Sequence, residues 1–169
     1  RVHSRDDYCL AERVVARANH RSLDRLMYKH IMVPVENSPT DAHILEHVKK
    51  LARFCEASVV LIHVADGWAA RNIRQLDLHE SEEMRDDRAY LERTASELER
   101  DGIRVEALLA VGDPAREITA AAEREKCDLI AMATHGHKFI ADVVYGSVAN
   151  AVRHATAVPV LLLRRPVST

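Results

Sequence analysis

Short apolar runs with a β-branched character alternate along this sequence with stretches whose apolar residues recur every three or four positions. The runs are His30–Val35, Ser58–Val64, Ile103–Val111, Cys127–Thr134 and Val158–Leu163. Their continuously apolar character, rather than strict alternation, belongs to strands buried on both faces. The pattern therefore predicts an α/β fold, a five-stranded parallel sheet with helices on both faces.

The segments between the runs carry helix signals. Ser38 is a good N-cap, Pro39 suits the first helical position and Asp41 can close a capping box. Ile44, Leu45, Val48, Leu51, Ala52 and Cys55 then keep the helical period. Asp66 to Glu80 shows no clean period and is expected as a loop carrying Trp68. Glu82 to Arg100 is a highly charged helix with Met84, Ala89, Leu91, Ala95 and Leu98, expected as a solvated outer helix. Gly112-Asp113-Pro114 hands Asp113 as N-cap to a helix over 115–125, and a last helix is expected from Ser147 to His154. Residues 1–28 are rich in Arg and Asp. Leu10, Val14, Val15, Ala18, Leu23, Leu26 and Met27 nevertheless give them a loose helical stripe, expected as an accessory segment or connector.

Composition narrows the functional classes. The chain of 169 residues is 47% hydrophobic and 30% charged, the profile of one globular domain. A net charge of −2 gives no chain-wide attraction to nucleic acid, which is not expected as the partner. Cys9, Cys55 and Cys127 are widely spaced without a Cys-x-x-Cys, which supports neither a disulfide framework nor a zinc knuckle and suggests a reducing, cytoplasmic setting. No stretch has the roughly 18 apolar residues that a transmembrane helix needs.

The most informative stretch is Ala133-Thr134-His135-Gly136, followed after nine residues by Gly146-Ser147 at a helix start. A strand ending in a glycine turn, then a glycine and a hydroxyl at a helix N-terminus, offers backbone N–H groups and a positive dipole end to an anion such as phosphate. Turn chemistry alone is the competing explanation for two loop glycines.

This stretch resembles the Gly-x2-Gly-x9-Gly-Ser/Thr motif of the nucleotide-binding universal stress protein family. The resemblance extends over residues 29–165 and is carried also by Ile31-Met32-Val33-Pro34-Val35, Leu61-Ile62-His63-Val64, Gly112-Asp113-Pro114, Asp128-Leu129-Ile130 and Val158-Pro159-Val160-Leu161-Leu162. It implies an adenine nucleotide alpha-hydrolase-like fold with strand order 3-2-1-4-5, and a ligand cleft at the switch point between strands 1 and 4. Carried over by position, Val64 would frame adenine, Pro34 and Glu36 would touch the nucleoside, and Met132 and Ala133 would lie by the ribose. Gly136, Gly146, Ser147 and Val148 would hold phosphates. Two positions depart from the family pattern: Glu36 replaces an Asp, and Ala133 replaces the first motif glycine.

The resemblance implies ATP or AMP as ligand, with Mg²⁺ bridging the phosphates of ATP. It also implies a regulatory role in stress response, and a homodimer joined through the edge strand Val158 to Leu163. That apolar edge is a liability unless paired, and the alternative cover is the segment 1–28. The alternatives to nucleotide binding are a structural interaction module with an empty cleft and a slow ATPase. Because the chain opens at Arg1 without Met, a processed form or a piece of a longer protein is expected, such as the cytoplasmic tail of a membrane transporter. On this division 29–165 form the domain and 166–169 a tail.

Other motifs carry less. His43-Ile44-Leu45-Glu46-His47 spells H-x-x-E-H, but no third metal ligand stands out and surface histidines explain it. His135 and Ser147 invite a base and nucleophile reading, yet no third group orients them. His137 and Lys138 would add charge near a triphosphate or simply face water, and His63 reads as a packed histidine.

Overall fold

A computed structural model of the chain describes residues 28–65, 82–134 and 147–164. In chain order these form β1 (His30–Pro34), α1 (Asp41–Cys55), β2 (Ser58–Ala65), α2 (Glu82–Arg100), β3 (Val105–Val111), α3 (Pro114–Arg124), β4 (Leu129–Thr134), α4 (Ser147–Ala155) and β5 (Val160–Arg164). The five strands make one sheet in the order β3-β2-β1-β4-β5, and every neighbouring pair is parallel. The expected class and strand order are thus both present. The accessory segment, the loop around Trp68 and the glycine loop after β4 lie outside the described residues.

Alternate positions of each strand feed opposite faces. Ile31, Val33, Val59, Leu61, Leu129 and Ala131 point to one face, where Ile44, Val48 and Ala52 of α1 and Leu91 and Leu98 of α2 cover them. Met32, Val60, Ile62, Ile130 and Met132 point to the other, under Ile118, Ala121 and Ala122 of α3 and Ala149 and Val152 of α4. Full burial of a side chain such as Ile44 or Val48 contributes about 1.5–3 kcal/mol relative to exposure. The continuous apolar strands follow from this double cover.

Several boundaries shift for identifiable reasons. Regular α1 begins at Asp41 rather than at Ser38, because 38–41 first close a tight turn in which the Asp41 N–H donates to the Ser38 carbonyl. One of the two capping-box bonds forms, the Ser38 N–H donating to Asp41 Oδ2 at 3.0 Å, whereas Ser38 Oγ accepts from the Thr40 N–H at 3.3 Å instead of from Asp41. β3 begins at Val105 rather than Ile103, and β4 at Leu129 rather than Cys127. The edge strand expected from Val158 begins at Val160, since Pro159 has no N–H and the Val158 N–H donates to Thr156 Oγ1 at 3.1 Å. Asp113 caps α3 as expected, its carboxylate accepting from the Arg116 N–H at 3.0 Å.

Candidate functional site

The chain changes direction at β1. After it, α1 leads to β2 on one side, whereas β4 lies on its other side and leads through α4 to β5. Ladder pairing between β1 and β4 stops at Met32–Ile130, before either strand ends at Pro34 and Thr134. On the other side, β1 remains paired with β2 up to Pro34–Ile62, and the Val35 N–H donates to the Ile62 carbonyl at 2.9 Å. Among the described residues the carboxyl ends of β1 and β4 therefore bound a crevice at the topological switch point, the usual place for a ligand in an open α/β sheet.

The sequence-derived residues fall around this crevice in different ways. Pro34 is half-buried at the end of β1, and Glu36 is exposed just beyond it. Val64, half-buried, lies near the end of β2 and packs toward the α3–α4 face. Ala133 is half-buried near the end of β4. Met132 is only 5% exposed and packs in the core under α3 and α4, so its side chain serves the core. Ser147 is exposed as the first residue of α4, and Val148 follows half-buried. Gly136 and Gly146, with His135, His137 and Lys138, lie outside the described residues.

Polar groups that sequence reasoning treated as local fix the loop that follows β1. Asp41, only 3% exposed, accepts from the N–H groups of Glu36 at 3.1 Å and Ser38 at 3.0 Å, and from the Tyr90 hydroxyl at 2.8 Å. It bends the β1–α1 loop back onto the first turn of α1, with Asn37 in the left-handed region at φ 55°. Burial first, and the Asp41 carboxylate second, push the Tyr90 phenol far above its ordinary pKa and keep it a donor. His63 places Nδ1 2.9 Å from the Val35 carbonyl and Nε2 3.1 Å from the Asp87 carboxylate.

These partners explain a polar stripe on α2. The buried positions of this charged helix are Met84, Asp87, Leu91, Thr94 and Leu98, at steps of three and four. An apolar-only pattern misses Asp87 and Thr94, and it leaves Tyr90 on the outside; the recoverable signal was their spacing relative to Leu91 and Leu98.

Elsewhere, a hollow of about 420 Å³ is lined by Arg53, Ala57, Ile103 and Arg104 at the amino-terminal end of the sheet. Arg53 there already pairs with Asp101 at 3.0 Å, and the crevice at the carboxyl ends is the better candidate. Among the described residues no three His, Cys, Asp or Glu side chains are grouped to hold a metal.

Comparison with known proteins gives a consistent result. The sequence model of the universal stress protein family matches residues 27–164. A universal stress protein of Methanocaldococcus jannaschii is 31% identical over 160 residues, covering 83% of this chain and 97% of that protein. Its solved structure superimposes with a TM-score of 0.68 and covers 84% of this chain and 99% of that one. A universal stress protein of Archaeoglobus fulgidus, solved in complex with dAMP, shares the fold at 21% identity and a TM-score of 0.61, covering 80% of this chain and 98% of that one. Another universal stress protein, solved in complex with cAMP, shares it at 19% identity and a TM-score of 0.62, covering 82% and 97% respectively.

Proposed function

This chain belongs to the universal stress protein family, and on that premise we propose that it binds an adenine nucleotide, AMP or ATP, between the carboxyl ends of β1 and β4 and acts as a regulatory domain. The observation that carries the reading is the crevice itself: β1 and β4 part beyond Met32–Ile130, and Ser147 opens α4. Family members solved with dAMP and with cAMP support the ligand class.

In this reading Val64 borders the adenine, while Pro34 and the Glu36 carboxylate meet the nucleoside. The backbone at Met132 and Ala133 runs beside the ribose. Gly136, Gly146, Ser147 and Val148 receive the phosphates through N–H groups and the positive end of the α4 dipole. The extra methylene of Glu36, relative to Asp, reaches a ribose hydroxyl from farther back. The Ala133 methyl narrows the ribose side and favours a close fit over a roomy one. With ATP, Mg²⁺ enters held by phosphate oxygens and water, the usual way this ion is bound.

No general base or activated nucleophile is assigned, so binding rather than turnover is the function proposed. Calorimetric titration with AMP, and with ATP and Mg²⁺, is expected to give one site per chain. Ser147→Asp, which places a negative charge where phosphates would sit, is expected to weaken binding at least tenfold, the equivalent of about 1.4 kcal/mol. Equal affinity in wild type and variant would contradict the assignment of the phosphates to the start of α4.

A further inference from the structure

We infer that Asp87 and Tyr90, one turn apart on α2, are positioning residues for the nucleotide cleft, acting together on the single peptide group that joins Val35 to Glu36. Tyr90 Oη donates to Asp41 Oδ2 at 2.8 Å, and the same carboxylate oxygen accepts the Glu36 N–H at 3.1 Å. The Asp87 carboxylate lies 3.1 Å from His63 Nε2, whose Nδ1 lies 2.9 Å from the Val35 carbonyl oxygen. The Val35 carbonyl and the Glu36 N–H are the two polar ends of one planar peptide. One relay holds its oxygen and the other holds its N–H.

The arrangement fixes more than a turn. A peptide gripped at one end can still pivot, whereas grips at both ends set its plane, and with it the direction in which the Glu36 side chain leaves the backbone. All the intermediaries are shielded: Asp41 is 3% and Asp87 8% exposed, and both side chains of the His63–Asp87 pair are largely covered. Water is a poor substitute for such partners, so either relay is costly to break. α2 follows β2 after residues 66–81 and packs on β2 and β3, so its placement and the aim of Glu36 are linked through hydrogen bonds. A ligand that draws on Glu36 is then favoured by the α2 position that keeps both relays closed, which is the requirement for coupling between a site and a helix outside it.

This inference rests on the nucleotide reading of the cleft, and its test separates the two. AMP affinity is measured for wild type, Tyr90→Phe, Asp87→Ala and Asp87→Asn, and for Tyr90→Phe and Asp87→Ala in a Glu36→Ala background. The Glu36 amide resonance is followed, without ligand, in those of the proteins that retain Glu36. Expected are losses of roughly five- to tenfold for Tyr90→Phe and Asp87→Ala, and partial recovery in Asp87→Asn. In the Glu36→Ala background the losses should shrink to within about twofold. The Glu36 amide should shift in each relay variant. Leu98→Ala, which removes a buried core contact two turns beyond Tyr90 and leaves both relays closed, should lower stability and leave affinity unchanged. Equal losses in both backgrounds, or an unmoved Glu36 amide, would overturn the positioning role while the nucleotide site stands. No AMP binding by wild type would overturn the reading of the cleft, and this inference with it.

Discussion

Asp128 holds two strands together at the end of the sheet opposite the crevice. Its two carboxylate oxygens accept the Lys29 N–H at 3.0 and 2.8 Å, and Oδ1 also accepts the His30 N–H at 3.0 Å, so it ties the start of β1 to the start of β4. These bonds are charge-assisted but reachable by water, and Asp128→Ala is expected to cost about 1–2 kcal/mol in urea unfolding with the fold retained. In the sequence, Asp128 is visible only as part of the family-like Asp128-Leu129-Ile130, because nothing local says that a residue before one strand serves the entry of another 98 positions away. Cys127 beside it behaves differently. Burial first, then the nearby Glu125, Asp128 and Glu106 carboxylates, push its thiol up to about 11. A raised folded-state pKa favours the protonated thiol. Its contribution to stability is therefore whole below the unfolded thiol's range near about 8.5 and is lost as pH climbs toward the folded value. The difference in urea midpoint between wild type and Cys127→Ala is expected to narrow from pH 8 to pH 10.5, and a constant difference would contradict this assignment.

At the level of elements, β5 is an edge strand of the apolar sheet that the described residues form. The Ile130 N–H donates to the Pro159 carbonyl, and in a parallel ladder alternate residues turn toward the neighbour, so Leu161 and Leu163 face β4 while Val160 and Leu162 present their N–H and C=O groups outward. Residues 160–163 are all half-buried, which suits pairing with a second copy. Sedimentation equilibrium is expected to show a species of twice 19.0 kDa. Leu162→Pro, which removes one outward N–H, should shift it to monomer with helical circular dichroism preserved, whereas a wild-type monomer would contradict edge pairing. Elements with a single dominant period were legible in the sequence: α1 through Ile44, Val48 and Ala52, and α3 through Asp113 and Pro114. α2 was legible as a helix over the same span, Glu82–Arg100, but its role was not. Its Asp87 is buried for a contact to His63 across the fold and its Thr94 bonds the Tyr90 carbonyl one turn back, and hydrophobic periodicity carries no such information.

For the whole molecule, the order β3-β2-β1-β4-β5 is the decisive property, since it puts a reversal between β1 and β4 and leaves their carboxyl ends unpaired with each other beyond Met32–Ile130. Alternation of runs and helices announces a parallel sheet, but strand order depends on which strand each crossover returns to. It became readable only through the family resemblance of the glycine-serine stretch and the strand motifs. Of the candidate site, the same resemblance names Pro34, Glu36, Ala133 and Ser147, which lie at or next to the ends of β1 and β4 and at the start of α4, while the relays from Tyr90 and Asp87 to the Val35–Glu36 peptide depend on tertiary contacts. Whether the crevice holds an adenine nucleotide is decided by mass spectrometry of the small molecules released when the purified protein is denatured, with titration of AMP into the emptied protein. Recovery of AMP or ATP is expected, or saturable binding of one AMP per chain that stabilises the fold by roughly 2.7 kcal/mol at a hundredfold excess over Kd. No released nucleotide, together with no binding on titration, would contradict a nucleotide site in the crevice.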